Sequence, residues 1–345
     1  MITHLMIAGI PPTMLTSAMA EGFTAPEVLE SGKALMPKAN TLGEGLAMLL
    51  QDVIPLIRPD LYEASRVCLA VIAAVMITSV VQSFSGAQKA VCDIAGTASV
   101  AATLLLSANS MIRLGSDTIV EMTQYGKLLI PVMTAALAAQ GAVGTSAALY
   151  AATMGIISLI GTVLSKLLLP MIYLFLALAV ASGATGQDML KQFRNLMKDG
   201  INWFLKTVLT VFTTYMGLTG IISGTTDTAA ARVAKAAISS VVPVVGGILS
   251  DASESVLASV AMAKNAVGLY GFFAILAIFL DPFIKIGCHY LLLKATGAMC
   301  AIFGSKAMTE LIGDFSTAMG LLLAMTGSVC LLLLISTVCF LKGVS

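Results

Sequence analysis

The amino-acid sequence predicts an all-α fold: a polytopic α-helical membrane protein of about 7–9 transmembrane segments, with an internal repeat and short re-entrant or broken helices. Three observations predict it. Hydrophobic residues make up 58% of the chain and charged residues 11%, against about 45–50% and about 25% in soluble domains. Mean hydropathy is +0.97. Charge-free apolar runs recur at lengths near the ~20 residues that a spanning helix needs. A water-soluble exterior needs more charge than this, which excludes a soluble enzyme or a disordered chain. A transmembrane barrel needs a polar residue at every second position of each strand, and no such alternation is present. Net charge is +1, with no basic cluster to track phosphates, so nucleic acid is not an expected partner. The lipid bilayer is.

The elements follow from where charges interrupt the apolar runs. Residues 1–20 end on Ala18-Met19-Ala20, an A-x-A pattern, but Pro11 and Pro12 interrupt the apolar core and no basic residue precedes it. They read as a signal peptide or as an N-terminal tail. Residues 21–66 are polar and amphipathic, with Leu46, Leu49, Leu50 and Ile54 at helical spacing, and read as a pre-membrane cap or a docking surface. The helical membrane domain is 67–345. Its expected spans are 67–84, 94–112, 145–165, 167–187, 202–223, 265–281, 283–304 and 315–341, with a polar loop containing Lys191, Arg194 and Lys198 between the fourth and fifth. Two shorter segments, 128–142 and 237–250, fall below spanning length and are expected to be tilted, re-entrant or discontinuous.

These short segments anchor the internal repeat. Ile130-Pro131-Val132 matches Val242-Pro243-Val244, and Leu169-Pro170-Met171-Ile172 matches Asp281-Pro282-Phe283-Ile284 at the same offset. The candidate units are about 94–187 and 202–304, before the final span at 315–341. Paired broken helices in duplicated membrane proteins tend to meet at the symmetry axis and line a path. Lys and Arg fall on both sides of the expected membrane, so orientation stays open.

Candidate functional residues fall in three groups. In VVPVVGGILSDASES at 241–255, Pro243 removes a backbone donor and Gly246 and Gly247 remove side-chain bulk. With Pro131 they mark broken-helix positions, while Asp251 and Glu254 have capping-box spacing. Asp281, Lys285 and His289 recur every four residues on one helical face. Charges at bilayer depth cost about 2.5–3.5 kcal/mol each on an insertion scale, so they face an interior or a wet cavity. Alternatively, Asp281 caps a helix with Pro282 at its first position, Lys285 snorkels, and His289 is a satisfied structural histidine. Gly220 and Gly224 form a GxxxG that Gly217 extends, a device for close packing or self-association. No Walker A, HExxH or GxSxG motif is present and the chain has two histidines, so no catalytic residue, cofactor or metal site is expected and an enzyme is not predicted. The six cysteines lack metal-ligand spacing and read as small buried hydrophobes.

The stretch at 241–255, KNAVGLYG at 264–271 and the run from Asp281-Pro282 to Lys285 resemble the stage III sporulation protein AE family of endospore-forming bacteria. The layout agrees: a leader-like start, a modest polar segment, then many spans. The resemblance covers nearly the whole chain and is most specific at 241–290; the weak leader is a departure. It implies a multi-pass protein of the mother-cell membrane around the forespore, similar to one product of a sporulation operon. Those products, an ATPase and ring-forming proteins among them, join a forespore partner in a channel or secretion-like complex, and this family is thought to supply its permease-like part. A stand-alone secondary transporter and a passive membrane scaffold are the alternatives from the residues alone.

Overall fold

The computed structural model describes residues 26–39, 41–84, 89–139, 143–185, 188–218 and 266–343. The described part is helical throughout its long elements. A single turn, α1 (Glu30–Lys33), precedes six rods: α2 (Leu42–Phe84), α3 (Lys89–Ala139), α4 (Val143–Val163) running through a π-turn at Leu164–Leu168 into α5 (Leu169–Thr185), α6 (Asp188–Leu218), α7 (Ala266–Phe303) and α8 (Lys306–Gly343).

Thr41 starts α2, its hydroxyl accepting from the Glu44 backbone N–H at 3.4 Å. The buried stripe of α2 then runs through Leu49, Val53, Asp60, Ala64, Cys68, Val71 and Val75, one side of a 3.6-residue period. Outside that stripe the helix is still apolar: Leu69, Ile77, Val80 and Phe84 are exposed. Only 17% of its most apolar stretch is buried, against 100% for α8. Apolar surface of this extent suits lipid and not water. Five helices among the described residues are long and apolar enough to cross a membrane: Leu42–Phe84, Ala90–Ala135, Tyr150–Thr185, Gly268–Phe303 and Lys306–Phe340. The protein is a multi-pass membrane protein.

Helix α8 is the axis of the bundle. Every residue from Ala318 to Phe340 is buried, with α7, α3, α5, α6 and α4 packed around it. Its hydroxyls turn back on the helix, Ser328 to the Ala324 carbonyl (2.6 Å) and Ser336 to Leu332 (2.7 Å), so no polar group faces outward unpaired there. A Cβ on Gly115 or Gly126 of α3 would fall 2.5 and 2.4 Å from Leu322 and Leu333 of α8. The two contacts advance together along both helices, so α3 and α8 run parallel. By the same reasoning α2 parallels α7, through Gly45 against Phe273 and Gly304 against Val75. Thr123 against Gly161 and Asn109 bonded to Tyr173 (3.1 Å) make the α4–α5 rod antiparallel to α3.

Several expected interruptions are absent, and the physical reasons are local. Pro131 lies inside α3, which continues from the expected span 94–112 through 128–139. Pro282 lies inside α7, so 265–281 and 283–304 are one helix. A proline frees one carbonyl, and in a packed apolar bundle that loss is local. The expected break between 145–165 and 167–187 is the π-turn, whose Ser165 hydroxyl donates to the Gly161 carbonyl at 2.6 Å. The expected polar loop at 188–199 is the first part of α6. There Arg194 extends the buried stripe Met197, Ile201, Leu205, Leu209 and Phe212 by one turn. Asp93 sits within α3 and accepts from Gln82 at 2.7 Å. The segment 237–250, and with it the centre of the second repeat unit, lies outside the described residues.

Gly304 and Ser305 alone connect α7 to α8. Ser305 caps α8 through the Met308 N–H at 3.5 Å, and a Cβ on Gly304 would sit 2.9 Å from the Cys300 carbonyl oxygen and 2.8 Å from Val75. Gly304→Ala is therefore expected to cost about 1–3 kcal/mol, measured as a lower thermal midpoint in detergent; an unchanged midpoint would contradict this turn.

Candidate functional site

The buried stripe of α2 contains one charged residue, Asp60. It is 6% exposed and lies against α7. Its Oδ2 is buried with no hydrogen-bond partner. The charged groups that act on it are Lys285, Asp281 and His289 of α7, with Glu63 on its own helix.

On α7 the spacing read from the sequence is realised as a helical face. Lys285 Nζ donates to Asp281 Oδ2 at 2.9 Å. His289 Nδ1 lies 3.0 Å from the Lys285 carbonyl oxygen. A carbonyl only accepts, so Nδ1 carries the proton in this contact. Lys285 thus pairs with Asp281 on its own helix, and its charge also acts on Asp60 across the α2–α7 contact. Cys288 is buried one residue before the histidine. Its thiol lies close enough to Asp60 for the carboxylate to act on it.

Asp281 does not start a helix at Pro282. It lies in the middle of α7 and uses its carboxylate for Lys285. Lys294, on another face, donates to Tyr290 OH at 3.3 Å and sits 5.5 Å over that ring. Pro131 is exposed on an unbroken helix, away from this cluster. Gly217 is in the last turn of α6. Pro243, Gly246, Gly247, Asp251, Glu254, Gly220 and Gly224 lie outside the described residues. Sequence reasoning missed Asp60, which sat in the segment read as a polar cap; its place in the Leu49, Val53, Ala64 and Cys68 period was the available signal.

The level of this cluster is the lower edge of an apolar layer. Beyond it, 67–84 of α2, 94–112 of α3 and 167–185 of α5 are free of charge. At 1.5 Å per residue the first of these is roughly 27 Å long, close to the ~30 Å hydrocarbon core. The model of the stage III sporulation protein AE family matches residues 38–342. The chain belongs to the stage III sporulation protein AE family. The stage III sporulation protein AE of Bacillus subtilis (strain 168) is 27% identical over 186 residues, which is 53% of this chain and 47% of that protein. The match spans about half the length of that curated relative. No solved structure matches. The region matched by the stage III sporulation protein AE family model contains Asp60, Asp281, Lys285 and His289.

Lys285 pairs with half-buried Asp281 and is the cation acting on buried Asp60. Lys285→Leu should destabilise the detergent-purified protein by about 1–3 kcal/mol, the scale for leaving a buried polar partner unsatisfied. Adding Asp60→Asn and Asp281→Asn should restore part of the loss. Wild-type stability in Lys285→Leu would show that the carboxylates do not depend on this cation.

Proposed function

We propose that this protein is the multispanning, permease-like subunit of a channel or secretion-like complex in the mother-cell membrane around the forespore. Family membership supports the sporulation context, and the apolar rods support a membrane location. The observation that carries the conduit reading is Asp60, a buried carboxylate with an unpartnered oxygen beside Lys285, Asp281 and His289. An ionisable cluster inside a helical membrane bundle is costly to keep and marks a path for ions or protons more often than a support. In this reading the chain is non-enzymatic, an ATPase supplies energy, ring-forming partners extend the conduit, and the 237–250 segment adds a crossing or a re-entrant element to the long rods.

Deletion in an endospore former should arrest sporulation, and the tagged chain should co-purify from sporulating cells with an ATPase and ring-forming subunits. Asp60→Asn should keep membrane insertion and partner binding while sharply lowering heat-resistant spore counts. Wild-type counts in that variant would make the cluster a support only. The same cluster also favours a second reading, a stand-alone secondary transporter. Proton-coupled solute uptake by the purified chain alone in liposomes would select it over the complex.

A further inference from the structure

A second polar site lies where α5 ends and α6 and α8 begin, at the opposite edge of the apolar layer from Asp60. A cavity of about 250 Å³ is lined there by Ser182, Lys191, Arg194, Lys306, Glu310 and Asp314, among others. Lys191 pairs with Glu310 at 2.7 Å, and Arg194 pairs with Asp314. Lys306 forms no ion pair among the described residues, so its charge is left over.

Arg194 is 3% exposed. One terminal nitrogen faces Asp314, and the other donates to Ser182 Oγ at 3.3 Å. Its Nε, and the Nη1 that faces Asp314, are buried with no hydrogen-bond partner. Burial pushes the guanidinium pKa down from its ordinary value while Glu310 works against that, and an arginine stays protonated in any case. A buried N–H with no acceptor is a defect unless something completes it. Lys306 is also the first residue of α8, where the helix dipole favours negative charge.

We propose that this cavity binds a phosphate oxyanion carrying one negative charge, with Arg194 Nε and Lys306 Nζ as its donors. Each ion pair is neutral in itself, so the lining, with three cations and two carboxylates, has a net charge of +1 that matches a monoanion. Phosphate oxygens are acceptors pointing in several directions, which suits donors arriving from two helices. The location, at one edge of the apolar layer, is where lipid phosphates lie. The group therefore comes either from an anionic phospholipid headgroup or from free dihydrogen phosphate.

Both sources are tested on the full-length protein in detergent. Retention of radiolabelled inorganic phosphate is measured after equilibrium dialysis. Retention of phosphatidylglycerol is measured by native mass spectrometry after delipidation, with zwitterionic phosphatidylcholine as control. Wild type should retain at least one of the two anionic probes, and Lys306→Gln, at an exposed position, should weaken that binding about tenfold, the scale of one charge-assisted hydrogen bond. Arg194→Lys should weaken it as well, while keeping the positive charge opposite Asp314. Inorganic phosphate alone identifies the free ion, phosphatidylglycerol alone identifies the lipid, and both identify the shared group. Retention of neither, equal retention of phosphatidylcholine, or binding unaffected by Lys306→Gln overturns the proposal.

Discussion

Helix α8 has no face to offer water or lipid. From Ala318 to Phe340 it is charge-free and buried on every side, a length of roughly 35 Å at the standard rise. A helix that is apolar all round belongs in the middle of a bundle, and the other rods are arranged to provide that middle. In lipid, leucine gains little by leaving the acyl chains, so tight packing must hold the helices. The close approaches of Gly115 and Gly126 to α8, and of Gly320 to Tyr290, are where that packing is achieved.

Polar groups then settle where such a bundle permits them. From Thr326 onward the hydroxyls of α8 bond to their own helix, while Ser316 donates to the Tyr290 carbonyl of α7. Buried charges gather at two levels. One is the α2–α7 cluster of Asp60, Asp281, Lys285 and His289; the other is the α5–α6–α8 cavity with Arg194 and Asp314. The charge-free stretches of α2, α3 and α5 lie between them. Each level keeps a charged side chain with buried atoms that lack a hydrogen-bond partner, Asp60 through Oδ2 and Arg194 through Nε and Nη1. Those two side chains are the clearest departures from a bundle built for stability alone.

The membrane class was legible because composition and apolar runs report burial in lipid directly. The Asp281–Lys285–His289 face was legible because a four-residue spacing is a property of one helix. Asp60 was not recognised as its partner, since that pairing joins residues more than two hundred positions apart and depends on α2 and α7 running parallel. Pro131 and Pro282 were overread as breaks. Proline removes one N–H and crowds one carbonyl, and both losses are local, so a long helix held by its neighbours continues through them. The start of α6 was misread for the converse reason. Lys191, Arg194 and Lys198 looked like a solvated loop, yet Arg194 occupies a core position because Asp314 and Ser182 receive it.

The burial of α8 is most directly tested by photolabelling the unmodified protein in bilayers with a lipid-borne carbene and mapping the adducts residue by residue. Adducts are expected on exposed positions such as Leu69, Ile77, Leu106, Leu291 and Ile302, with Ala318 to Phe340 unlabelled throughout. Labelling of α8 at every third or fourth residue would place one of its faces in lipid and contradict the architecture described above.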